Sequence, residues 1–110
     1  MSGGHPQSIT ALPRVKTSVP GVRGWVSQGD TSQVVFFEID AGVSIPAHSH
    51  CEQFGVIIEG ELNLKIGDRV KTYRAGDSYH IPSGVIHSAE FRSFVRVIDF
   101  FADPHRYETE

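Results

Sequence analysis

The chain lacks most of what would tie it to an oxidising compartment, a bilayer or a nucleic acid. A single cysteine, Cys51, stands among 110 residues, so no internal disulfide can form and a reducing cytoplasm is the expected setting. No apolar run approaches the ~20 residues that span a bilayer. The first residues, MSGGHPQSITALP, lack the charged-then-apolar layout of a secretion signal. Lys and Arg number 10 against 13 Asp and Glu, for a net charge of −3, and the basic residues form no cluster. Neither nucleic acid nor an anionic membrane is therefore expected as a partner. There is no internal repeat and no low-complexity segment. With 39% hydrophobic and 21% charged residues, the composition is that of one ordinary folded domain with a single core.

Helical patterning is also missing. No segment keeps an i, i+3, i+4 apolar spacing over three turns, so helix is expected only as a turn in the tail ADPHRYETE. In its place, short β-prone runs recur between Gly, Asp and Pro punctuation. They read VRGWVS, QVVFFEI, FGVIIEG, ELNLKIG, RVKTYRAG, SYHIPSG, VIHSAEF and FVRVIDFF. ELNLKI alternates polar and apolar residues, as a strand with one wet face does, whereas VVFF and VIDFF are apolar on both faces. The pattern predicts an all-β sandwich or barrel. Residues 1–21, rich in Gly, Pro, Ser and Thr, are expected to form an arm, its first ten or so residues mobile and the rest lying on the domain. The barrel is expected over 22–104 and a short tail over 105–110. Strands apolar on both faces also predict a homodimer.

Histidine is the informative residue. His48 and His50 lie two apart, a spacing that on a strand puts both side chains on one face with roots about 6.6 Å apart. His87 follows a tight Pro-Ser-Gly turn. Imidazole favours Zn, Cu, Fe, Ni and Mn over Mg or Ca. His5 and His105, in the terminal segments, read as ordinary solvated or packing side chains.

Two motifs stand in order. Gly42 is followed by five residues, His48-Ser49-His50, and later a closing Gly60; Gly76 is followed by five residues, Pro82-Ser83-Gly84, two more, and His87. Between them lie the 15 residues Glu61 to Ala75. In these features the chain resembles the cupin superfamily, and small single-domain cupins in particular. The resemblance covers Val22 to Pro104 and implies a double-stranded β-helix, the jelly-roll barrel. It also implies one divalent transition-metal ion (Fe, Mn, Ni, Zn or Cu) held by His48, His50, a residue of the segment Cys51-Glu52-Gln53, and His87.

The chain departs from the family pattern twice. The family's acidic ligand falls seven positions before the closing glycine, and here that position is Gln53, with Glu52 the adjacent alternative. Strand alternation groups Gln53 with Gly55 and Ile57, and Glu52 with Phe54 and Val56, which favours Gln53 as the fourth ligand. The short link from His50 demands a tight corner or bulge at Cys51-Glu52. Four neutral donors would leave a divalent ion's charge uncompensated and favour an anionic ligand. The second departure is Phe91, which stands where the family has asparagine. With Trp25, Phe36, Phe37 and Phe54 it is a candidate to line a partly apolar pocket, although each taken singly reads more readily as an ordinary core residue. One of Tyr79 and His80 should face the interior. The function these features imply is a small metalloenzyme, of oxygenase, isomerase or lyase type, acting on a small organic acid or enol-forming substrate. The alternative is a non-catalytic small-molecule binding or sensing barrel.

Overall fold

A computed structural model describes residues 4–110 and shows nine strands. They are β1 (Val22–Gln28), β2 (Gln33–Ile39), β3 (Ser44–His48), β4 (Gln53–Glu59), β5 (Glu61–Ile66), β6 (Arg69–Arg74), β7 (Ser78–Ile81), β8 (His87–Phe91) and β9 (Val95–Phe101). Two antiparallel sheets result, one of five strands in the order β1-β2-β9-β4-β7 and one of four in the order β3-β8-β5-β6. The fold is an all-β jelly roll. Consecutive strands fall in different sheets wherever the chain must cross between layers, and Gly60 makes one such crossing between β4 and β5. Its φ of +92° lies in the left-handed region, and a Cβ there would strike the carbonyl oxygen of Phe94, so no side chain fits.

The core lies between the sheets. β2 and β9 pair along their full length, and their alternating burial sends Val35, Phe37 and Ile39 inward beside Val95, Val97 and Phe101. Leu62, Leu64 and Phe91 meet them from the opposite sheet. Each such fully buried side chain contributes about 1.5–3 kcal/mol relative to exposure. Among the described residues, no helix is long and apolar enough to cross a membrane.

The terminal segments differ in part from expectation. Among the described residues the one helical turn, α1 (Gln7–Thr10), lies near the N-terminus and not in the tail. Near the start of the chain, His5 contacts the domain. The His5 backbone N–H donates to Glu38 at 2.8 Å, and its ring packs edge-on against Trp25 and Phe36. Residues 1–3 lie outside the described residues. Further along, Val15 is fully buried in the core and pairs with Thr109, while the Lys16 N–H donates to the Glu108 carbonyl. Arm and tail thus form a ribbon. Gln33, 1% exposed, fixes the tail by donating to the Tyr107 carbonyl at 3.0 Å and accepting from its N–H at 3.0 Å.

Candidate metal centre

Local geometry brings three imidazoles to one point. β3 and β8 pair so that His48 and His87 are direct cross-strand partners. The register slips between Ile45 and His48, where Pro46 cannot donate to the ladder. His50 lies just beyond β3, its carbonyl accepting from the Gly84 N–H in the Pro82-Ser83-Gly84 turn at 2.9 Å. That bond ties the first histidine loop to the turn that leads into His87. The ligating atoms of His48, His50 and His87 all lie within 4.8 Å of one another.

Hydrogen bonding sets the chemistry of these rings. Nδ1 of His48 faces the Pro46 carbonyl at 2.9 Å, Nδ1 of His50 the Cys51 carbonyl at 2.8 Å, and Nδ1 of His87 the Val85 carbonyl at 2.9 Å. A carbonyl only accepts, so each Nδ1 carries the ring proton and each Nε2 keeps its lone pair. The Nε2 atoms of His50 and His87 then face each other at 3.1 Å. Two lone pairs at that distance repel unless a cation lies between them. Ring protonation is a poor remedy. Burial, then the nearby Arg106 charge, push the His50 imidazole down to about 4, and burial lowers His87. A transition-metal ion fits the gap, since Zn–N bonds of about 2.1 Å place adjacent nitrogens about 3.0–3.4 Å apart. The cluster is able to hold such an ion.

The imidazoles open into a cavity of about 680 Å³ between the two sheets. Gln53, the first residue of β4, lines it and is buried, with Ile81 and Phe101 as cross-strand neighbours. Glu52 points the other way, its carboxylate 2.6 Å from Nε2 of the exposed His80. Of the Tyr79 and His80 pair, Tyr79 faces inward, 7% exposed, and its hydroxyl donates to Asp99 at 2.6 Å. Burial pushes the Asp99 carboxyl up to about 6, while hydrogen bonds from Tyr79 and Gln53 act the other way. Burial, then the Asp99 charge, raise the Tyr79 hydroxyl well above its ordinary value, so Tyr79 keeps its proton.

Of the aromatic candidates for the pocket, the structure brings one to the cavity. Phe37 lines the cavity, but Phe91 packs in the core, Phe54 is exposed on the outer face, and Trp25 and Phe36 lie under His5. Alternation places Phe36 and Phe54 on the outer face, because their neighbours Phe37 and Gln53 face inward. Sequence reasoning missed Asp99 and Arg106. Asp99 could have been suspected as the one charged residue in the apolar run VIDFF. Arg106 carried no signal, because the tail reaches the cavity only through the ribbon with the arm. Its guanidinium lies 4.4 Å from the Tyr107 ring centroid and 5.7 Å from that of Phe101. Its Nε is buried with no hydrogen-bond partner, and among the described residues no carboxylate pairs with it.

A family model, Cupin domain, matches residues 35–101. The chain is a cupin. Solved structures agree on the fold. An RmlC-like cupin from Shewanella frigidimarina matches with a TM-score of 0.77 at 22% identity, over 96% of this chain and 94% of that one. KdgF from a Halomonas species matches with a TM-score of 0.75 at 22% identity, over 84% and 88%. Salicylate 1,2-dioxygenase from Pseudoaminobacter salicylatoxidans, solved with gentisate, matches with a TM-score of 0.73 at 19% identity, over 86% of this cupin and 30% of that chain. A search of curated proteins finds no match.

Proposed function

We propose that this cupin is a metal-dependent enzyme acting on a small organic acid or enol-forming substrate, its metal held by His48, His50, Gln53 and His87. The observation that carries the reading is the pairing of two features in one cavity. Three imidazoles present bare Nε2 atoms at one end, and an unpaired guanidinium, Arg106, lies against the same space. A cation left without a carboxylate in a half-buried site is suited to bind the anionic group of a ligand. A bound divalent ion of this kind supplies Lewis acidity towards a substrate oxygen, or dioxygen chemistry if it is iron.

The chain's own residues do the rest. Arg106 would hold the carboxylate end of the substrate, its guanidinium carbon 4.4 Å from the Tyr107 ring centroid and 5.7 Å from that of Phe101. Apolar side chains such as Phe37, Ile39 and Leu64 exclude water from the region between. The dioxygenase of similar fold that holds gentisate supports a small substrate of this class. A non-catalytic binding or sensing barrel is the second reading, favoured by the lack, among the described residues, of any acid or base within hydrogen-bonding distance of the free Nε2 atoms other than the imidazoles themselves.

One experiment separates the two. The protein loaded with each of Fe, Mn, Ni, Zn and Cu is incubated with a panel of small carboxylic and keto acids, and the mixtures are read by mass spectrometry. Turnover abolished by chelation and restored by one metal supports the enzyme, whereas a ligand bound tightly and recovered unchanged supports the sensor. The lone thiol fits a cytoplasmic setting, and the exposed Phe54 and Phe100 fit a homodimer built on the outer sheet face.

A further inference from the structure

Two glutamines at the end of the β1–β2 hairpin are directed at the tail. Gln28 closes β1, Gln33 opens β2, and the two are direct cross-strand partners. Gln33 is fully buried, a polar side chain where an apolar one would fill the same volume. Its Nε2 donates to the Tyr107 carbonyl at 3.0 Å and to Oε1 of Gln28 at 2.9 Å, and its Oε1 accepts the Tyr107 N–H at 3.0 Å. Gln28 extends the contact, its Nε2 donating to the carbonyls of Pro104 at 2.8 Å and Gly29 at 3.0 Å. A carbonyl only accepts and a backbone N–H only donates, so the main chain fixes the orientation of both carboxamides.

The points of attachment bracket Arg106. The Ala102 N–H donates to the Glu52 carbonyl, and the Glu108 carbonyl accepts from Lys16. Between them, among the described residues, the main chain of the tail hydrogen-bonds to the rest of the domain through these two glutamines. Within that stretch Asp103 closes a local turn by accepting the His105 N–H at 2.7 Å. The clamp also seats the Tyr107 ring edge-on against Phe37 and Phe101, at centroid distances of 5.7 and 5.5 Å. Tyr107 is in turn the ring on which the Arg106 guanidinium lies. An arginine on a loose tail would have to be ordered by its ligand, at a cost in affinity; here the loop that carries it is ordered beforehand.

We infer that Gln28 and Gln33 are positioning residues that hold Arg106 at the cavity wall, so that selectivity for an anionic ligand is set from the β1–β2 hairpin. The inference rests on the reading that Arg106 binds the anionic group of that ligand. It accounts for a buried glutamine at the start of an otherwise apolar inward row, Gln33, Val35, Phe37 and Ile39.

The test is calorimetry with benzoate, pyruvate and glycolate, each beside its neutral amide, on protein whose fold is checked by circular dichroism. Gln33→Met keeps the volume and removes the three hydrogen bonds; it should weaken the carboxylates about three- to tenfold, the worth of ordering one long side chain in advance. The amides should be unaffected. Gln28→Ala, an exposed site whose loss leaves the core intact, should shift the carboxylates the same way by a smaller factor. In an Arg106→Gln background either change should cost less than about twofold. Equal losses for acids and amides, or losses that persist without Arg106, would overturn the inference and leave the glutamines a purely structural role. Carboxylate selectivity lost in Arg106→Gln but kept in both glutamine variants would overturn it while sparing the anion anchor. A native protein that prefers no carboxylate to its amide would overturn the anchor, and this inference with it. A ligand-free readout is the nuclear Overhauser effect at the Arg106 Nε–H, assigned by its absence in Arg106→Gln. It should match the ordered backbone in the native protein and fall in Gln28→Ala, and an unchanged value there would contradict the clamp.

Discussion

The Nε2 atoms of His50 and His87 face one another at 3.1 Å, each with its Nδ1 directed at a backbone carbonyl. The backbone has thus fixed the tautomer of both rings and left two lone pairs opposed. Such a pair is unfavourable alone and favourable around a cation, so the main-chain geometry leaves the cluster able to hold a metal ion.

The His50 contribution to the stability of the metal-free protein should be lost as pH falls from about 6.5 towards 4. Folding lowers the His50 imidazole to about 4 from its ordinary 6.5, through burial first and then the Arg106, His87 and His48 charges. Below 6.5 the unfolded chain takes up a proton that the folded one refuses, so stability is present above that pH and is lost through the window. Asp99, raised to about 6, contributes the opposite slope between 3.8 and 6. Comparing urea midpoints of the native protein and His50→Gln isolates the histidine. The variant should show the shallower loss, and parallel curves would contradict the account.

Gly55→Ala should destabilise the fold by about 1–3 kcal/mol, because the new methyl group overlaps the Tyr79 ring and the Asp99 carboxylate across the strand row. Chemical denaturation reads the change. A neutral result would mean that Tyr79 does not span Gly55.

Arg106→Gln should weaken binding of small carboxylates about 10- to 100-fold, the worth of a charge-assisted hydrogen bond, while leaving metal content unchanged. Calorimetry with a carboxylate and its neutral amide analogue checks both sides, since only the carboxylate should lose affinity. Equal losses for the two ligands would deny Arg106 a role as an anion anchor.

On the outer face, Val34, Phe100 and Phe54 form one cross-strand row and Phe36, Ile98 and Val56 the next, with Phe100 39% and Phe54 42% exposed. If a second copy covers these rows, Phe100→Glu should convert a sedimenting dimer to a monomer at micromolar concentration without altering the circular dichroism spectrum. A native protein that sediments as a monomer would contradict the dimer.

Much of this was legible in the residues. The Gly, Asp and Pro punctuation marked the strand ends closely, and QVVFFEI is β2 residue for residue. Strand alternation alone placed Gln53 inside and Glu52 outside, because a ladder running unbroken to Glu59 has period two. What stayed hidden depended on contacts distant in sequence. Arg106 lines the cavity next to Tyr107, which Gln33, more than seventy residues earlier, clamps by two hydrogen bonds. Phe36 and Phe37 are identical in composition, and only the register of β2 against β9 sends one out and the other into the cavity. The short helix near the N-terminus has no buried face to announce it.

The measurement that bears most directly on the account is elemental analysis of protein purified without a histidine tag or chelating resin. The account predicts about one transition-metal ion per chain in the native protein and its loss in both His48→Ala and His87→Ala. A native protein without near-stoichiometric metal, or either variant retaining it in full, would contradict the site.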